Sequence, residues 1–288
     1  MTELKNKIDF VALISVDRAN ANGDPLTGNR PRTDYKGFGG MSAECIKRKI
    51  RNRMQDMGYK IFVQSDERCE DGFDSLKERA DNVLGKPGKK KDRNIYLKKA
   101  CDQWIDVRAF GQVFAFSNKK DADDENSVSV SVRGPVSMHY AFSVSPVDVE
   151  SYKITKSVNG SPNDKKGPDT MGTKHFVRFG LYLLKGAINV QLAEKIGFSY
   201  EDAQVLKECL RTLFVNDASS ARPEGSMEVV KLYWFEHNSK VGQYSSAKVH
   251  RSVKVSQKAS VSLPTSPEDY EIILEELPGL TPEIIDGI

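Results

Sequence analysis

The sequence predicts an α+β protein ordered strand, helix, two strands, helix and strand. Three observations carry that expectation: an apolar run at residues 8–17 (IDFVALISVD), two capped amphipathic helices near residues 42–57 and 199–213, and strand-like segments between and after them. A βαββαβ order gives a ferredoxin-like core, here a single domain over residues 1–288 with long insertions. At 288 residues and 39% hydrophobic content, the chain can bury an ordinary core.

Residues 8–17 read as a buried first strand, and Asn20, Asn22, Gly23, Asp24 and Pro25 behind them are turn formers. A polar loop follows, carrying Arg30, Arg32 and the glycines Gly37, Gly39 and Gly40. Ser42 is the N-cap of a helix over 45–57, in which Ile46, Ile50, Met54 and Met57 share one stripe. At about 100° per residue, Lys47, Arg48 and Arg51 are expected on the opposite side. Residues 59–105 read as a helical insertion, with a short strand at 59–63 and helices near 73–84 and 94–104 flanking the basic run Lys86, Lys89, Lys90, Lys91 and Arg93.

Strands are expected at 107–116 and 127–144, on either side of an acidic loop, KKDADDEN, at 119–126. The Asn, Gly, Pro, Asp and Lys of residues 157–170 make a loop too long and polar for a simple connector. Residues 176–190 give two short apolar segments divided by Gly186. Ser199 and Asp202 then form a capping signal ahead of Val205, Leu206, Cys209, Leu210 and Leu213, and MEVVKLYWFE at 227–236 is the last strand.

No uninterrupted apolar run approaches the roughly 20 residues of a spanning helix, and the charged start MTELKNKIDF is unlike a signal peptide, so a cytoplasmic protein is expected. The four cysteines (Cys45, Cys69, Cys101, Cys209) are scattered without CxxC spacing and read as reduced, mostly buried thiols. Neither they nor the four dispersed histidines suggest a metal site, and no cofactor is expected. The last 30 residues, 259–288, hold seven acids and no Lys or Arg, so setting that segment aside raises the net charge from +3 to +10. A basic body points to a polyanion such as nucleic acid.

Cations beside a helix start suit phosphate oxygens, so Ser42, Lys47, Arg48 and Arg51 are candidates for tracking a backbone without reading sequence; a solvated face is the alternative. Arg108, Arg133 and Arg222 are expected at strand edges or turns, where a guanidinium fork can take phosphate. The usual aromatic signature of an RNA-recognition strand is absent, RAFGQVFAF at 108–116 being only a loose approach, so recognition by shape and backbone is expected.

Six blocks in order give a specific resemblance: Asn20–Pro25 with Gly28–Asp34, Cys45–Arg51, Val132–Val136, Thr170–His175, Gly180–Tyr182 and Ser219–Arg222. Together they resemble the backbone subunit of type I-C CRISPR Cascade, in the RAMP superfamily, over roughly residues 8–258. Two departures are Ala21, where the family usually has proline, and Thr173, where it tends to have arginine.

The resemblance implies an RNA-recognition-motif-like palm, a helical finger at 59–105 and a protruding thumb at 150–178, assembling head to tail along a CRISPR guide RNA. It implies target DNA as a partner through the guide, other copies of the chain, and the large, small and repeat-processing subunits, with no membrane. Site residues on this reading are Arg30, Arg32, Ser42, Lys47, Arg48, Arg51, Arg108, Arg133, Met171, Lys174, His175 and Arg222. Met171 is a candidate wedge between bases, with Lys174 on the adjacent phosphate; packing under its own loop is the alternative. A non-catalytic subunit is expected. The second reading is a type III-like endoribonuclease using Asp24 or Asp34.

Overall fold

A computed structural model describes residues 2–85, 93–115, 130–155 and 171–288. The basic run at 86–91, the acidic loop at 119–126 and the loop at 157–170 lie outside the described residues. Strand β1 (Ile8–Ala19) runs into a short ribbon, β2 (Gly23–Asp24) and β3 (Arg30–Pro31), then β4 (Phe38–Met41) and helix α1 (Ala43–Asp56). Next come α2 (Leu76–Leu84), α3 (Arg93–Gln103), α4 (Ile105–Phe110) and the antiparallel pair β5 (Gly111–Phe114) and β6 (Val130–Arg133). Strands β7 (Val136–Met138), β8 (Ala141–Pro146), β9 (Val149–Thr155) and β10 (Met171–Ile188) lead to α5 (Val190–Ile196) and α6 (Tyr200–Arg211). The order ends with β11 (Met227–Glu236), α7 (Ser246–Ser252), β12 (Val253–Gln257), β13 (Tyr270–Leu274) and β14 (Glu283–Asp286).

The α+β class expected from the sequence is observed. The central sheet is antiparallel, in the order β14-β11-β1-β10-β8-β4, with β7 and β9 also paired to β10. Within it β1, α1, β8, β10, α6 and β11 follow the strand-helix-strand-strand-helix-strand order. Strand β1 reads as a continuous apolar run because both its faces are covered. Phe10, Ala12 and Ile14 pack with Ile46, Ile50 and Met54 of α1 and Leu206 and Leu210 of α6. Val11 and Leu13 meet Leu181, Phe235, Val249, Tyr270 and Leu280 on the other side.

That second cover comes from α7, β12 and the acidic C-terminal segment. The acidic segment is folded: Tyr270, Leu277 and Leu280 are buried, β13 pairs with β12, and β14 extends the sheet at β11. Its acids meet the chain's own cations, Asp286 pairing with Lys231 (2.6 Å) and Glu283 with Lys207 (2.7 Å).

Four local expectations are corrected. Residues 59–63 pair with no strand; the Phe62 and Val63 N–H groups instead donate to the Asp106 carboxylate at 2.7 and 3.1 Å. Residues 105–110 form helix α4, and of the described residues in 107–115 the strand is 111–114. The change falls at Gly111 (φ 80°), which sits so close to Gly134 across the β5–β6 pair that a Cβ on Gly134 would lie 2.4 Å from the Ala109 carbonyl. The described residues 130–144 are divided at Gly134–Pro135 and again at His139–Tyr140 into separate strands. Gly186, by contrast, does not break β10, because the Phe10 ring lies over it where a Cβ would be 2.2 Å away. Of the cysteines, Cys101 and Cys209 are buried and Cys69 is exposed, so the thiols are less uniformly buried than expected.

The helical insertion has a core of its own, built on Phe62, Ala80, Tyr96, Ala100 and Trp104, and that core extends past residue 105 to Val107, Phe114, Val130 and Val132.

Candidate nucleic-acid interface

At one end of the sheet, residues far apart in sequence enclose a cleft of about 260 Å³. The C-terminal end of β1 supplies Arg18 and Asn20, the loop before β3 supplies Gly28 and Asn29, β10 supplies Thr173 to Phe176, and the turn at 219–222 supplies Ser220 and Ala221. Register explains the meeting. Strand β1 lies between β10 and β11, Asn20 N–H donates to the Ala221 carbonyl (2.9 Å), and Asn20 Nδ2 donates to the Asn29 carbonyl (2.6 Å).

The cations are held on the rim. Lys174 Nζ donates to the Ser220 carbonyl (3.0 Å), and His175 Nδ1 is hydrogen-bonded to Ser151 Oγ (2.8 Å). Arg30 Nη1 reaches the same Ser151 Oγ (3.1 Å) and its Nη2 the Val149 carbonyl (3.4 Å), so the arginine and the histidine stand side by side on β9. Arg18 is exposed, with a left-handed φ of 48°, and Asn29 has φ 61°. Such conformations cost on the order of 1–3 kcal/mol and concentrate at functional sites. Asn20 Oδ1 is buried without a hydrogen-bond partner.

Of the residues expected to form a site, Lys174 and His175 line this cleft and Arg30 lies beside it. Met171, 64% exposed, begins β10 opposite Thr155 on the same β9–β10 pair. Arg222 belongs to the turn that floors the cleft, but its Nε turns to Asp217 (3.1 Å), which also pairs with the buried Lys49. Arg32 lies 3.7 Å from Asp24. Arg133 is exposed on β6 and lines a separate cavity between α3 and α5.

The cationic face expected on α1 is corrected. That side packs against the insertion: Arg51 Nε pairs with the fully buried Asp106 (2.9 Å), Arg48 Nη1 donates to the Val63 carbonyl (2.7 Å), and Lys47 and Arg51 both sit over the Phe110 ring. Burial, reinforced by Arg51, lowers the pKa of Lys47 and of Arg48. The helix start is closed by the chain's own side chains, Ser42 Oγ accepting from Cys45 N–H (3.2 Å) and Asn22 Oδ1, from the turn after β1, accepting from Ser42 N–H (2.9 Å). Arg108 is likewise corrected from a strand edge to the interior of α4. It is buried, with both arms of its fork on Asp202 (2.8 and 2.7 Å) and Nη1 on the Cys101 carbonyl.

Sequence reasoning missed Arg18 and Asn29 as site residues. Asn29 sits inside the quoted block between Gly28 and Arg30, whereas Arg18 is flagged only by its place between strand and turn.

The fold and cleft define an antiparallel-sheet α+β protein with a cation-rimmed surface cleft at the end of its two central strands. The sequence matches the family model described as CRISPR-associated protein Cas7 over residues 6–275, and the chain belongs to that family. It is 25% identical over 224 residues to the CRISPR-associated protein Cas7 of Haloferax volcanii, an alignment covering 74% of this chain; the chain spans 65% of that relative's length. Its fold is similar to that of a chain in a structure described as a CRISPR RNA-guided surveillance complex, pre-nicking (TM-score 0.52, 16% identity, covering 89% of this chain and 84% of that one). A chain of another CRISPR RNA-guided surveillance complex aligns with TM-score 0.43 and 18% identity over 80% of this chain and 68% of its own length.

Proposed function

We propose that this chain is the non-catalytic backbone subunit of a type I-C CRISPR interference complex, coating a guide RNA in head-to-tail copies and presenting it to target DNA. One observation carries the reading. Three of the blocks that resemble that family, Asn20–Asp34, Thr170–His175 and Ser219–Arg222, lie far apart in the sequence yet converge on one cation-rimmed cleft.

In that cleft Lys174, Arg18 and Arg30 would neutralise phosphates, which bind without regard to base identity, with His175 beside them. The β9–β10 pair serves as the thumb that carries Met171 toward the neighbouring copy, and the insertion core as the finger. Head-to-tail contacts that do not close generate a filament, the form a linear guide requires. The large, small and repeat-processing subunits of the complex are its further partners, in a prokaryotic cytoplasm.

Asp24 and Asp34, the aspartates of the endoribonuclease reading, serve as turn caps. Asp24 accepts from Leu26 N–H (3.0 Å), and Asp34 from Lys36 N–H (2.8 Å) and Phe38 N–H (2.9 Å). Sequencing the RNA that co-purifies with the tagged chain, followed by sedimentation of the particle, tests the reading. Repeat-spacer transcripts in a large assembly are expected; bulk cellular RNA on a monomer would reject it.

A further inference from the structure

The second face of the sheet is covered by α7, β12 and β13 at its centre, while part of it toward the β8–β4 end remains exposed. There Phe142, 44% exposed, and Tyr140, 37% exposed, stack on each other with ring centroids 5.0 Å apart and planes 26° from parallel. Phe142 alternates with Val144, which packs into the core of that face, so the two project from the same side of the sheet. Gly40 of β4, paired opposite Phe142, leaves the room for the Tyr140 ring; a Cβ there would lie 2.6 Å from it.

The aromatic pair opens into a cavity of about 400 Å³, completed by His139, Leu183, Lys185 and Val255. No acid is among its lining residues, and burial, with Arg251 nearby, lowers the Lys185 pKa. A cation with no acid in its pocket, beside an exposed ring face, favours an anionic ligand with a flat aromatic part. Single-stranded nucleic acid has both features, since every base has a π-face and every link a phosphate. An acidic peptide shares only the charge.

We propose that Tyr140 and Phe142, with Lys185, form a second nucleic-acid site that stacks a base of a single strand. Lys185 lies eleven residues beyond Lys174 on β10, roughly 36 Å at about 3.3 Å per residue, so the two sites are separate, and the Lys174→Ala background removes the cleft's lysine from the measurement. The inference does not rest on the guide reading.

Phe142→Trp supplies the test in the full chain, because Trp104 and Trp234 are each only 2% exposed and give a quiet background. The probes are an octauridylate, an abasic octamer of equal charge and a hexaglutamate peptide. Octauridylate is expected to quench the introduced indole saturably and equally in a Lys174→Ala background, the abasic octamer much less. In otherwise unaltered protein carrying Lys174→Ala, Tyr140→Ala with Phe142→Ala should weaken octauridylate binding about fivefold or more, as loss of base stacking does. Equal quenching by the abasic octamer, quenching by hexaglutamate but not octauridylate, or no quenching at all would each overturn the proposal. None of these outcomes bears on the cleft, which is tested by the effect of Lys174→Ala on a full-length guide.

Discussion

Removing Asp106 tests whether the far side of α1 is structural. The carboxylate is fully buried and receives three donors: Phe62 N–H at 2.7 Å, Val63 N–H at 3.1 Å and Arg51 Nε at 2.9 Å. Asp106→Ala leaves a guanidinium only 12% exposed without its counter-charge and two main-chain donors unpaired. Breaking a buried pair from one side costs about 3–5 kcal/mol. At about 2–4 °C per kcal/mol for chains approaching this size, Tm should fall by roughly 10 °C. Arg51→Ala should cost less, about 1.5–3 kcal/mol, since Asp106 keeps both backbone donors. The double variant should show a coupling of about 1–3 kcal/mol between the two sites. The assay is thermal unfolding of the four proteins, with guide affinity measured on those that remain folded. An Arg51→Ala protein with unchanged Tm and weakened guide binding would refute the reasoning and return Arg51 to the RNA surface.

Three further outcomes are expected. Arg108→Ala leaves Asp202 without the fork that neutralises it and should lower stability by about 3–5 kcal/mol, read by denaturant unfolding. Gly134→Ala forces a Cβ to 2.4 Å from the Ala109 carbonyl and should cost about 1–3 kcal/mol, whereas no loss of Tm would mean the β5–β6 contact is looser than described. Burial lowers the pKa of His250 below its ordinary 6.5. The unfolded chain therefore binds the proton first as pH falls, so His250 contributes its full stability above about pH 6.5 and loses it progressively below. The decline of Tm between pH 7 and 5 should be shallower in His250→Gln than in the unaltered protein.

The sequence made the main elements legible because their signals are local: the Ser42 and Ser199 caps, the Ile46, Ile50 and Met54 stripe, and the unbroken first strand all appear as read. Where it misled, a tertiary partner had replaced the local one. The α1 cations fall on the polar side of the helical wheel, and nothing in that pattern reveals that α4 covers them with Asp106 and Phe110. Arg108 looks like a surface arginine until Asp202, 94 residues away, is brought against it. Gly186 looks like a breaker because its reason, the ring of Phe10, lies on another strand. The cleft was half legible, with Arg30, Lys174 and His175 in motif blocks, while Arg18 depends on a backbone twist that composition does not encode.

The salt dependence of guide binding tests the cleft most directly. Affinity for one guide RNA is measured from low to moderate salt for the unaltered chain, for Lys174→Ala and for Arg18→Ala with Lys174→Ala. Each lost phosphate contact should reduce the slope of log K against log salt by about 0.7, leaving Tm unchanged because both side chains are exposed. Slopes that coincide in all three proteins would contradict the cleft as the path of the RNA.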